Sequence, residues 1–108
     1  MTAVPSAPSP PDPVALAERV AAAVTAHPAV ACLHGGLYGA VVTYLPGRKL
    51  VGVRIGEADE PVEVAVVLRP ERPIPDVVRG LRREVSRLCG GAAVDITVAD
   101  IVLPGELP

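Results

Sequence analysis

The chain has 108 residues, is half apolar and carries a net charge of -2. That length makes one domain with a modest core, folding alone or with a copy of itself, and the near-neutral balance excludes a global basic field drawing it to nucleic acid or anionic lipid. With no Phe or Trp, no Asn or Gln, one Lys and two Tyr, the core must be built from Val, Leu, Ile and Ala, which favours sheet, and few polar side chains remain to furnish a catalytic pocket.

Residues 1–11 hold four prolines among small residues without a period. They read as a disordered or polyproline-like tail, with a ligand for a proline-binding module as the alternative. A single domain is expected over 12–103, followed by a flexible end at 104–108. Asp12 before Pro13 is a helix N-cap signature. Leu16, Ala17, Val20, Ala21 and Val24 then make a narrow apolar stripe opposite Glu18 and Thr25, narrow enough for the helix to lie close to a sheet. Pro28 ends that helix at or before His27.

Val30 to His34 is a short strand candidate closed by Gly35 and Gly36. Leu37 to Leu45 is apolar on both parities and reads as a further strand, covered on one side and partly shielded on the other, with Gly39 interrupting. Pro46-Gly47 suits the centre of a type II turn, so a hairpin is expected between that strand and the alternating Val51, Val53 and Ile55. After the acidic turn Gly56 to Pro61, Val62, Val64, Val66 and Leu68 mark the clearest strand.

Ile74, Val77, Val78, Leu81, Val85 and Leu88 recur at helical spacing. Pro75 and Asp76 suit the first turn of that helix, and Gly90 and Gly91 its end. Val94, Ile96 and Val98 alternate with Asp95, Thr97 and Ala99 as a last strand. The expected fold is therefore a two-layer α+β domain, order α-β-β-β-α-β with room for one extra short strand, its two helices on one face of a mainly antiparallel sheet.

The charges gather in two places. Six of the ten basic residues lie between Arg69 and Arg87, and Arg79, Arg82, Arg83 and Arg87 fall in one arc of the second helix, away from its apolar stripe. This arc reads either as a solvated face or as a docking face for an acidic partner, another chain or a membrane-anchored protein. Glu57, Asp59, Glu60 and Glu63 form an acidic counter-patch just before it, and Val67 or Ile101 would supply adjoining apolar surface.

Other motifs favour ordinary structural roles. Cys32 and Cys89 are too few and too far apart for a disulfide framework and read as free, packed thiols. With His27 and His34 they could in principle offer four zinc ligands, but the spacing is not that of a zinc finger, and no metal or other cofactor is expected. Gly36-Leu37-Tyr38-Gly39 matches the G-x-x-G of K-homology RNA-binding domains yet lacks their flanking helices and basic residues, so it reads as turn glycines. Neither His lies near a serine or an acidic residue in sequence, and no nucleophile, base and orienter can be assembled, so the chain is expected not to be an enzyme. The sequence predicts no transmembrane helix and no signal peptide, and hence a cytoplasmic location.

Val62 to Leu68, Pro73-Ile74-Pro75-Asp76-Val77-Val78, Val85 and Val94-Asp95-Ile96-Thr97-Val98-Ala99-Asp100-Ile101 resemble the alkaline shock protein family, also called the envelope stress response family. There a strand, an I-P-(D/E)-V helix start and a V-x-V-x-V strand follow in this order. The front half is similar too, with a helix running into H-P-A-V-A-C-L-H-G-G and an L-P-G-R-K-L-V-G-V hairpin, so the resemblance spans residues 14–102. It implies a non-enzymatic cytoplasmic scaffold, held peripherally at the inner face of the cell membrane through a partner protein and without cofactor, that supports the cell envelope. It carries over no catalytic residues. The alternative is a small nucleic-acid-binding domain using the arginine face of the second helix.

Overall fold

The computed structural model describes residues 13–57 and 59–103, without the side chain of Leu37. The expected tail at 1–11, the Asp12 cap and the end at 104–108 lie outside the described residues. The elements run α1 (Pro13–Thr25), β1 (Val30–Leu33), a 3-10 turn (Leu37–Gly39), β2 (Val42–Leu45), β3 (Arg48–Val51), β4 (Val53–Arg54), β5 (Val62–Leu68), α2 (Ile74–Leu88) and β6 (Val94–Ile101).

Both helices form where their apolar spacing places them. The expected stripe of α1, Leu16, Ala17, Val20, Ala21 and Val24, is the set it buries, and α2 buries Val77, Leu81 and Val85 with Ile74 and Leu88 packed at the margin. Their common floor is the alternate set Val62, Val64, Val66 and Leu68 of β5, so the two layers share one aliphatic core. Gly90 and Gly91, both at positive φ, close α2: the Gly91 N–H donates to the Ser86 carbonyl at 2.8 Å and the Gly90 N–H to that of Arg87 at 3.4 Å. This Schellman arrangement satisfies carbonyls the helix would otherwise leave open.

Strand β5 is the centre of the sheet. One of its edges is shared end to end by two short antiparallel strands, β1 against Val66–Leu68 and β4 against Glu63 and Val64. The two meet at Ala65, whose carbonyl accepts the His34 N–H at 2.9 Å and whose N–H donates to the Gly52 carbonyl at 3.0 Å. The other edge is covered along its length by β6, in parallel, which requires the crossover that α2 provides. Three of the strand pairs are antiparallel, but the longest is this parallel one.

Two expected strands are modified. The candidate over Leu37–Leu45 begins as a 3-10 turn and becomes extended only at Val42. The candidate through Val51, Val53 and Ile55 is broken at Gly52 into β3, which pairs with β2 in a separate two-stranded hairpin, and β4, which belongs to the main sheet. The reason is steric. Gly52 has φ of 99° and lies so close to β1 that an added Cβ would sit 2.6 Å from Leu33 Cβ, a position that only glycine accommodates. The Pro46-Gly47 turn forms as expected, with Leu45 opposite Arg48 and Gly47 at φ 74°.

Leu81→Ala is expected to lower unfolding free energy by about 2–5 kcal/mol through the cavity it leaves. Arg79→Ala, on the exposed face of the same helix, is expected to stay within about 0.5 kcal/mol. Gly52→Ala should cost more than about 1 kcal/mol, since it combines a left-handed backbone with a steric overlap. Urea unfolding of the three variants checks the order.

Candidate functional site

The arginine arc of α2 is placed on the surface, but its charge is largely answered at home. Arg79 donates to Asp76 at 2.7 Å and Arg87 to Glu84 at 2.6 Å, both i,i+3 pairs. Arg82 reaches past the helix, and its Nε donates to the Val94 carbonyl at 3.2 Å. Among the described residues, only Arg83 of these four has a guanidinium with neither a hydrogen bond nor an ion pair. Reading the arc from its basic positions alone passes over Glu84, which stands between Arg83 and Arg87. Its carboxyl is held below the usual carboxylate range by its hydrogen bond to Arg87, and the Arg87 guanidinium is raised in return.

The acidic counter-patch is likewise engaged. Arg54 of β4 donates to Glu63 at 2.7 Å and stands 3.6 Å from Glu60, while the Glu60 carboxylate also accepts the Glu57 N–H at 3.1 Å. The guanidinium is raised chiefly by its hydrogen bond to Glu63. Arg54 is opposite Glu63 in the β4–β5 register, a contact visible only once that register is known. Asp59 is exposed. Val67 is not the exposed apolar residue expected beside these patches, being 8% exposed between Cys32 and Asp100, its register partners on the two neighbouring strands. A central-strand residue is shielded by neighbours on both sides. Ile101 is half-buried.

The cysteines and histidines are not brought together. Among the described residues no three His, Cys, Asp or Glu side chains gather to hold a metal ion. His27 Nδ1 accepts the Ala29 N–H at 3.0 Å, and His34, one residue past the end of β1, accepts the Gly36 N–H at 2.9 Å through its Nδ1. Both imidazoles thus fasten turns. Burial pushes the Cys89 thiol up, against a smaller opposing pull from Arg19, which keeps it protonated at neutral pH.

Two features escape the sequence patterns. The first is the exposure of both tyrosines. Tyr38, in the 3-10 turn, is 96% exposed and holds a left-handed backbone at φ 59°, while Tyr44 on β2 is 77% exposed. In the hairpin register Val42 faces Val51 and Tyr44 faces Lys49, so these four share one side of the ribbon. Val51 is 40% exposed, and the opposite side buries Leu45 and packs Leu50 on the core. Arg48 at the tip is held to α1 by Glu18 at 3.2 Å.

The second is the outer edge of β6. The Val62 N–H donates to the Ala93 carbonyl and the Val102 N–H to the Leu68 carbonyl. In a parallel ladder successive residues point alternately toward and away from the partner. These bonds turn Val94, Ile96, Val98 and Ile101 outward, the register slipping once at Ala99. The outward Val94 carbonyl is the one Arg82 caps, and the outward Ile101 N–H is capped by Asp100 Oδ1 at 2.8 Å. Among the described residues no strand pairs with this edge.

Compared with known proteins, the chain matches no family model, no curated protein and no solved structure. No helix among the described residues is long and apolar enough to cross a membrane.

Because the Glu84 carboxyl is lower in the folded chain than when unfolded, its contribution to stability is present above the unfolded carboxylate value and lost as pH falls through the folded one. Arg87→Ala is expected to return Glu84 to the ordinary carboxylate range, read by NMR titration of its side-chain carbon.

Proposed function

We propose that this domain is a non-enzymatic docking module of the envelope stress response type. It works on the cytoplasmic side of the membrane by binding a protein partner, such as a membrane-anchored one. The observation that carries the reading is the placement of Tyr38 and Tyr44, the only aromatic residues in the chain, which stand in solvent while an aliphatic core closes without them. Tyrosine joins a large apolar ring to a hydroxyl, a pairing enriched where proteins meet. Tyr38 is also held in a backbone region that non-glycine residues seldom occupy, a strain that tends to accompany recognition. Tyr44 shares its side of the hairpin with Val42, Val51 and Lys49, and that side suits a partner with an apolar centre and an acidic rim.

The alkaline shock resemblance is consistent with this reading, since β5, α2 and β6 form in the order that family implies. The nucleic-acid alternative has less support. A phosphate track needs several free cations, whereas Arg79 and Arg87 are paired within α2, Arg82 caps β6, and the net charge is -2.

The double variant Tyr44→Ser, Val51→Ser should lose capture of a membrane-fraction protein that the parent crosslinks, while stability shifts little, as at other exposed sites. Equal capture by parent and variant would remove the hairpin from the function. Steep, salt-sensitive binding of single-stranded RNA or DNA by the parent would replace the protein reading with the nucleic-acid one.

A further inference from the structure

The outer edge of β6 is neither fully protected nor fully open, and what remains open is self-complementary. Arg82 closes it at Val94 and Asp100 closes it at Ile101, while the slip at Ala99 bends the strand between Val98 and Asp100. Such caps and bulges are ways in which proteins blunt a sheet edge. Between them lie the outward N–H and C=O groups of Ile96 and Val98, four groups spaced as one antiparallel partner would need.

We propose that two copies of this chain pair their β6 strands antiparallel about a two-fold axis at Thr97, joining their main sheets into one. The proposal goes beyond the docking-module reading and names a second surface, argued from the β6 edge alone. In this register Ile96 of each copy lies opposite Val98 of the other as a hydrogen-bonded pair. Each pair exchanges two N–H···O bonds, so all four open groups of each copy are satisfied. Ile96 and Val98 are half-buried at the edge of the core, so the helix face gains two apolar cross-strand contacts. On the other face Thr97, exposed in the single chain, meets Thr97 of the second copy in the close, non-hydrogen-bonded position where threonine pairs are favourable.

The charges agree with the same register. Asp95 faces the region of Ala99 in the second copy, so no acidic side chain is set against another. Asp100 of one copy approaches the Val94 end of the other, where Arg82 is already held over the strand edge, which places opposite charges together at both ends of the pairing. A two-fold contact uses the same edge on both chains and therefore closes at two. It also leaves both α2 helices on the same side of the joined sheet. Because the contact is small, association belongs to the weak, reversible class.

Sedimentation equilibrium of the purified full chain tests this at concentrations that populate the parent dimer. Thr97→Lys and Thr97→Glu, exposed substitutions that should leave circular dichroism unchanged, each set like charges opposite one another and should weaken self-association about 5-fold. An equimolar mixture of the two variants should associate at least as tightly as the parent, because the facing charges are then opposite. Ile96→Pro removes an outward N–H without touching the bonds to β5 and should abolish the dimer. A parent that stays monomeric, or Thr97 variants that associate like the parent, would overturn the pairing, as would a mixture no tighter than either variant alone. Partner capture through Tyr44 is scored separately. If capture persists without self-association, the β6 pairing falls and the docking module stands, whereas loss of capture with the dimer intact has the reverse meaning.

Discussion

Every part of this structure depends on satisfying the backbone of β5. The strand is buried on both faces and bonded on both edges, so each of its N–H and C=O groups must find a partner within the protein. One parallel strand suffices on one side. On the other, neither β1 nor β4 is long enough, and the gap between them is bridged at Ala65 by His34 and Gly52. The Gly52 contact explains why the chain leaves the hairpin there. Its backbone bonds to β5 at Ala65 while lying against β1, and a side chain there would overlap Leu33.

An aliphatic composition suits this arrangement. Val on β5 and Ala on α1 give thin side chains that let that helix approach the sheet closely, and β-branching favours the extended backbone. The polar side chains are kept outside, and among the described residues none is buried. The ion pairs are accordingly surface features. Those in which Arg79, Arg87 and Arg54 take part are screened by water and salt and orient side chains more than they hold the fold. Their wider effect is to flatten the field of a molecule that, read as sequence, carries a basic and an acidic patch side by side.

What the sequence made legible follows from which interactions are local. Helix stripes, the Gly90-Gly91 stop and the Pro46-Gly47 turn are set by neighbours within a few residues, and they formed as expected except that Val78 stands outside the buried stripe of α2. The parallel placement of β6 was not legible, because alternation reveals a strand's faces but not its partner or direction. Arg82 looked like part of a free charged face, and it acts as an edge cap because β6 starts within its reach. Gly52 did carry a signal: an isolated glycine within a strand pattern marks close backbone approach, yet only the fold shows which strand approaches. The tyrosines are a subtler case. Period-two alternation in β2 cannot say which side of a detached hairpin meets the core, and here that side belongs to Leu45 and Leu50.

The dependence of β1 and β4 on β5 also orders events during synthesis. In the second half of the chain the two long strands, β5 and β6, pair with each other directly across the α2 crossover. The first half has no such pairing within the main sheet, since β1 and β4 find their sheet partner only in β5 and α1 packs on a core that β5 supplies. A chain emerging from the ribosome with its N-terminus first therefore exposes the apolar side of α1 until residues beyond 62 appear. Helices and local turns form far faster than translation proceeds. In this domain it is the arrival of β5 that sets the pace, and the interval before it is the one in which the nascent chain most needs protection from aggregation.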